Sequence, residues 1–190
     1  MSCRQLPLAP LLINNFMPLS LHLFLHFIIA ILVALLFWRI TGKRKDFFWF
    51  FIMAAILGGF LIDVDHAIEY LLVFGRFSMF GFLRGWEFLW SGKNILIFHA
   101  WEYVPIFLIL AFLLRRYKKI SLSLLVFTIA ALAHLVSDCF INGFTPEFYS
   151  ISYRAAHNFS AQEILPARNL QWDQEQYQKW LPEMQREASR

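Results

Sequence analysis

The sequence predicts an all-α fold: an integral membrane four-helix bundle with an interfacial segment between helices 2 and 3 and an amphipathic helix at the C-terminus. Three observations carry that expectation. Hydrophobic residues make up 59% of the 190-residue chain and its mean hydropathy is +0.54, above the roughly half-apolar composition of soluble domains. Four apolar stretches approach the ~20 residues that a helix needs to cross a bilayer. Two short loops between those stretches hold eight of the 17 Lys and Arg, the kind of asymmetry that sets membrane orientation.

The first span is expected from about Leu19 to Trp38, with Ser20, His22 and His26 as its polar side chains. It is too long for the apolar core of a signal peptide and no small-x-small cleavage site follows, so it reads as a retained helix. The second is expected over Phe47 to Ile62, short enough that Asp63 to His66 fall at headgroup depth if the helix continues. The third runs from about Asn94 to Leu114 with Pro105 inside it, a kink that membrane helices tolerate. The fourth runs from about Ile120 to Ile141 and stops at Asn142-Gly143.

Arg39, Lys43, Arg44 and Lys45 follow the first span, and Arg115, Arg116, Lys118 and Lys119 follow the third. The positive-inside rule makes both loops cytoplasmic, which points to the plasma (inner) membrane and places the other ends outside. The chain then divides into an N-terminal segment (1–18), a membrane domain (19–145) and an extracytoplasmic tail (146–190). Between Tyr70 and Trp90, aromatic residues alternate with Gly75, Gly81, Gly85 and a few charges, as suits a segment lying in the interface. It reads as a lid over a site or as a hairpin packed on the bundle. The tail from Ala161 onward is expected to form one amphipathic helix around Trp172, Tyr177 and Trp180. A net charge of +4 is too small to suggest nucleic acid, and Cys3 and Cys139 cannot make a disulfide framework.

The ionisable residues of the spans share one depth. His22 and His26 begin span one, Asp63, Asp65 and His66 follow span two, His99 and Glu102 open span three, and His134 and Asp138 end span four. Because successive spans run in opposite directions, all of these lie in the outer leaflet. His22/His26 and His134/Asp138 are i,i+4 pairs, and Asp63/His66 and His99/Glu102 are i,i+3 pairs, so each pair shares a helix face. Imidazoles and carboxylates together are ligands for zinc, iron or manganese, and buried charges at membrane depth are by default functional.

The expected metal set is therefore Asp63, His66, His99, His134 and Asp138 with His22 or His26, the other span-one histidine packing beside it. Asp65 reads as a helix cap, an orienting group or a base. Glu102 reads as a general base or as a hydrogen-bond partner of His99. In the tail, His157 is a further ligand candidate or a solvated loop residue, and Arg154 binds a phosphate or faces headgroups.

The motifs Asp63-Val64-Asp65-His66 and His134-Leu135-Val136-Ser137-Asp138, with a histidine in the first helix, His99 before the third and Thr145-Pro146 after the fourth, make the chain resemble the predicted membrane-bound metal-dependent hydrolases of bacteria and archaea. The resemblance spans roughly residues 20 to 157. It departs from the family at Ile62, where proline is usual, and at His99, where a longer histidine motif is reduced to one residue. It implies a multi-helical membrane hydrolase that uses a divalent metal, with zinc the first expectation.

A metal at this depth lowers the pKa of water towards neutrality, with Glu102 or Asp65 taking a proton and Arg154 holding an anionic oxygen. The substrate expected is a membrane lipid or lipid-linked molecule, with a phosphoester as the first expectation. Two rivals stand beside this reading. One is a di-metal, oxygen-dependent enzyme, for which the carboxylates are few. The other is a non-enzymatic metal-binding membrane protein; transport is disfavoured because no inverted repeat is present and the polar groups occupy a single layer.

Overall fold

A computed structural model describes residues 19–189; the N-terminal segment 1–18, with Cys3, lies outside them. Among the described residues there are ten helices and two short 3-10 turns, and no strand. Helix α1 is Leu19–Ile40, α2 is Lys45–Gly59, α3 is Val64–Phe74, α4 is Met79–Phe82 and α5 is Trp86–Ser91. Helix α6 is Tyr103–Leu113, α7 is Lys118–Asn142, α8 is Ile151–Ala156, α9 is Ala161–Ile164 and α10 is Ala167–Ala188.

Helices α1 and α7 are each long and apolar enough to cross a membrane, and α2 with its bent continuation α3 makes a third if the pair counts as one span. The bend is 41°. It falls where α2 closes at Phe60 and a 3-10 turn, Leu61–Asp63, restarts the chain in a new direction.

Small residues let the long helices meet. Ala30 and Ala34 of α1, Ala54 and Ala55 of α2, and Ala130 of α7 form one buried cluster with Phe47, Phe51 and Val126. A Cβ on Gly58 would run into the backbone carbonyl of Phe127, so α2 and α7 touch backbone to backbone there. Leu32 and Leu36 of α1, Trp49, Phe50, Met53 and Leu57 of α2, Ile109 and Phe112 of α6 and Phe140 of α7 are exposed on the outside of these helices. At one end of the bundle Lys119 reaches to 3.8 Å from Asp46, which brings the two basic loops side by side.

The third span departs from expectation. Its helix begins at Tyr103, not Asn94, and is 11 residues long, about 16 Å against a hydrocarbon core of ~30 Å. Side chains from elsewhere hold residues 94–102 in an irregular path. Glu69 accepts from the N–H groups of Ile95 (3.1 Å) and Leu96 (3.2 Å), and Asp65 accepts from that of Phe98 (2.9 Å). The Trp101 N–H donates to the Tyr149 carbonyl at 2.9 Å. Leu96 sits at φ +36°, in the left-handed region where a branched residue is strained by ~1–3 kcal/mol. Irregular backbone of this kind is tolerated at membrane depth only where protein buries it.

The segment between spans two and three is only partly a separate layer. Its start belongs to α3, whose Tyr70 and Phe74 pack with Trp86 of α5 and Met184 of α10. The tail is interrupted before Pro166, so α9 and α10 are separate helices. Helix α10 is tied across the protein by Arg76, which lies 3.0 Å from the Glu187 carboxylate.

Candidate metal centre

The cluster is assembled by local breaks in otherwise regular helices. His22 and His26 share one face of α1, and His134 and Asp138 one face of α7. Asp63 ends the 3-10 turn and His66 stands in the first turn of α3, so the bend after Gly59 turns both inward. His99 arrives on the irregular loop. Five of the chain's six histidines thus meet two aspartates. His26, His99 and His134 are at most 1% exposed and Asp138 is 2% exposed, while the His66 side chain is 27% exposed.

The polar atoms converge on shared points. Asp138 Oδ1 lies 3.1 Å from His22 Nε2 and 3.0 Å from His26 Nε2. Its other oxygen, Oδ2, lies 3.2 Å from His134 Nε2 and 3.7 Å from His99 Nε2. Asp63 Oδ1 is 3.3 Å from His99 Nε2, 3.5 Å from His134 Nε2 and 3.9 Å from His66 Nε2. Yet Asp138 Oδ1 and Asp63 Oδ2 are buried without a hydrogen bond. These contacts are close in distance but are not aimed as donor–acceptor pairs.

The hydrogen-bond network assigns the tautomers. His99 Nδ1 donates to Asp65 Oδ2 at 3.0 Å. His134 Nδ1 donates to the Gly59 carbonyl at 3.2 Å. Ser137 gives its own proton to the His134 carbonyl, leaving its oxygen to accept from His26 Nδ1 at 3.3 Å. With Nδ1 protonated in each neutral ring, Nε2 carries a lone pair. The Nε2 atoms of His99 and His134 face each other at 3.0 Å, so their lone pairs repel unless a proton or a metal cation lies between them.

A cation resolves that repulsion. Tetrahedral zinc with bonds of ~2.0–2.1 Å has ligand–ligand edges of about 3.3 Å, and the spacings above bracket that value. Among the described residues, the groups that can hold a metal ion are His22, His26 and Asp138; His26, Asp63 and His134; Asp63, His66 and His99; and His99, His134 and Asp138, with Asp63 and His66 half-buried and the rest buried. The donor set fits a metal.

Comparison with protein-family models, curated proteins and solved structures finds no match. The side-chain chemistry carries the functional reading.

Other expected site residues are placed elsewhere. Asp65 stands behind His99, where a carboxylate fixes the tautomer and raises the basicity of a metal-binding imidazole; it faces His99 and the Phe98 N–H, not the converging nitrogens. The Glu102 carboxylate accepts from Ser150 Oγ (2.6 Å) and from the N–H groups of Ile151 (3.2 Å) and Ser152 (3.0 Å), so it caps α8. Arg154 is fully buried and donates through Nη2 to the Leu96 (2.9 Å) and His99 (2.8 Å) carbonyls. It anchors the His99 loop from behind. His157 bonds the Tyr153 carbonyl at 2.8 Å and belongs to none of the metal-holding groups.

The sequence reading missed Glu69, whose carboxylate shapes the loop, although Asp65-x-x-x-Glu69 is an i,i+4 pair that puts both acids on one face of α3. It also missed Ser137 and Glu87. A cavity of about 410 Å³ opens onto the cluster, lined by His22, Asp63, His66, His99 and Asp138 at one part of its wall. Glu87, Asn94 and α10 residues, including Asp173, Lys179 and Trp180, form other parts. Burial alone pushes the Asp173 carboxyl up to about 6.

Proposed function

We propose that this protein is a membrane-embedded, metal-dependent hydrolase acting on a phosphoester of a membrane lipid or lipid-linked substrate. The observation that carries the reading is the largely buried five-histidine, two-aspartate cluster opening into a cavity. A purely structural metal site is closed, whereas Asp63, His66 and Asp138 line a space that a ligand can enter. This is the function expected of the membrane-bound metal-dependent hydrolases that the motifs resemble.

The centre proposed holds two divalent ions, zinc first among candidates. Asp138 turns one oxygen to His22 and His26 and the other to His134 and His99, so histidines on each side of this carboxylate would hold one ion. A divalent ion in such a site polarises the scissile bond and lowers the pKa of water towards neutrality. The chain's own residues do the rest. Asp65 and Arg154 hold His99 in place, and α10 covers the cavity against bulk water. Exposed Arg84 and Lys179 line the same cavity and would draw in an anionic headgroup.

The membrane reading rests on the apolar outer face of the bundle and on the basic loops gathered at the end opposite the cluster. Helices α1, α2–α3 and α7 cross, and the shorter α6 completes a four-pass arrangement with the cluster at the extracytoplasmic interface of the plasma membrane. A second cavity, of about 540 Å³, is lined by Leu57, Leu61, Val104, Phe107 and Phe127. Phe98 and Ala100, the neighbours of His99, also line it. An acyl chain there would bring a headgroup beside the cluster. The cluster's five imidazoles and two carboxylates make it a weaker match for oxygen-dependent carboxylate chemistry.

The test is metal content by mass spectrometry on the detergent-purified full chain, with phosphate release from phospholipid vesicles measured alongside. Wild type should carry about two ions per chain, His22→Ala fewer, and Asp138→Ala almost none. Folded protein purified without chelators and devoid of transition metal would sink the proposal.

A further inference from the structure

Besides Asp63 Oδ2, the cluster cavity is lined by two further buried polar groups that nothing in the protein satisfies. Glu87 is 1% exposed and its Oε2 has no hydrogen-bond partner; Asn94 is 6% exposed and its Nδ2 has none. Both line the cavity that reaches His22, Asp63, His66, His99 and Asp138. A buried polar group left without a partner loses ~1–3 kcal/mol of hydration, and such groups lining a cavity call for a partner that enters it.

We propose that Glu87 and Asn94 form a subsite for a hydroxyl-bearing group of the substrate, a polyol such as glycerol or a sugar, while its phosphoester meets the cluster in the same cavity. The inference rests on the hydrolase reading and adds the chemical class of the substrate's headgroup.

The donor–acceptor pattern selects that class. Burial pushes the Glu87 carboxyl up to about 8, the nearby Glu69 carboxylate adding to the shift against a backbone hydrogen bond. At neutral pH Glu87 is therefore a carboxylic acid that can both donate and accept. Asn94 Nδ2 can only donate. An ammonium offers only donors, so it would suit an ionised Glu87 but meet Asn94 donor to donor. A phosphate offers only acceptors and would suit Asn94 but leave the acceptor oxygen of Glu87 unmatched. A hydroxyl does both, and adjacent hydroxyls answer both residues together. Phe88, Trp172 and Trp180 line the same cavity and supply apolar faces for the C–H groups of a polyol.

The charged groups around Glu87 do not change this choice. Glu69 on α3 is engaged by the Ile95 and Leu96 N–H groups. Arg84, ahead of α5, has its guanidinium against the rings of Phe80 and Trp180, at 4.1 and 4.4 Å from their centroids. On α10, Lys179 lies over Trp180 at 5.0 Å and Asp173 lines another part of the wall.

The experiment uses the zinc-loaded full chain in detergent and measures binding of sn-glycerol 3-phosphate, phosphoethanolamine and inorganic phosphate. Wild type should favour glycerol 3-phosphate over the other two by about tenfold, the worth of one net hydrogen bond. Glu87→Leu and Asn94→Leu should each abolish the preference while zinc content and phosphate binding stay unchanged, and Glu87→Gln should keep most of it. Equal affinity for the three probes in wild type, a preference for phosphoethanolamine, or a preference that survives both leucine variants would overturn the subsite and leave the metal reading standing. A second readout does not need the metal: adding myo-inositol should shift the infrared carbonyl band of the protonated Glu87 carboxyl, a band missing in Glu87→Gln. That shift in metal-free protein keeps the subsite even if the hydrolase reading falls; its absence removes the subsite.

Discussion

Asp65→Asn separates a supporting carboxylate from a catalytic one. Asp65 Oδ2 receives His99 Nδ1 at 3.0 Å and the Phe98 N–H at 2.9 Å, and the side chains of His99 and Asp65 are only 1% and 6% exposed. An asparagine can present its carbonyl oxygen to the same two donors, so the loop keeps its path. What changes is charge: the imidazole loses the anion that makes Nε2 a stronger base. Removing such a partner weakens metal affinity by about 10–100-fold, or ~1.4–2.8 kcal/mol. Competition of purified protein against a calibrated zinc chelator reads this directly.

Glu69→Gln is the control. It disturbs the N–H groups of Ile95 and Leu96 on the same loop but touches no histidine, so its zinc affinity should stay within about threefold of wild type, well under the loss expected for a missing partner. Equal affinity in Asp65→Asn and wild type would refute the role assigned to Asp65. An equal loss in both variants would show that loop order, not charge, is what Asp65 supplies.

Three other outcomes follow from the packing and the charges. Arg154→Met removes two buried, charge-assisted hydrogen bonds to the Leu96 and His99 carbonyls; after the recovered desolvation of the guanidinium it should lower stability by roughly 2–4 kcal/mol, seen as an earlier thermal transition together with weaker zinc binding. Gly58→Ala drives a methyl into the Phe127 carbonyl and should destabilise the α2–α7 contact by ~1–3 kcal/mol, with metal lost because the neighbouring Gly59 carbonyl holds His134; an unchanged melting temperature would contradict that close approach. The folded values of Asp173 and Glu87, about 6 and about 8, lie above the ordinary carboxyl range, so their protonated forms favour the fold. Their contribution to stability is then complete below about pH 4 and is lost as pH rises through about 6 and about 8, and the pH dependence of melting in Glu87→Gln should lack the upper part of that loss.

Part of the cluster could be read from the sequence because it depends on helix periodicity: the i,i+4 spacings of His22/His26 on α1 and His134/Asp138 on α7 aim each pair together. Asp63, His66 and His99 join them through the bend after Gly59 and the irregular loop. The sequence leaves His26 in competition with His22, because it does not reveal that Asp138 Oδ1 sits within 3.1 Å of both. The roles that escaped are those that depend on long-range backbone contacts. Glu102 looked like a base because it follows His99 by three residues, but that spacing has meaning only in a helix, and residues 94–102 are not one. Arg154 and Glu69 act on backbone groups 55 and 26 residues away, which no local pattern encodes.

The same contacts explain why the third helix starts late. A regular helix from Asn94 would direct the N–H groups of residues 98 onward to carbonyls four residues earlier. Here the Phe98 N–H is taken by Asp65 and the Leu96 carbonyl by Arg154, so two charged side chains compete with the helix for its first turn. The exchange leaves Leu96 strained at positive φ and shortens α6. In return the loop stays irregular where His99 must enter between α3 and α7, with its Nδ1 against Asp65 and its Nε2 towards Asp63 and His134. A helix running straight from Asn94 would give up the contacts that fix His99 in that position. Loss of α6 length is the structural consequence of adding a fifth imidazole to the cluster.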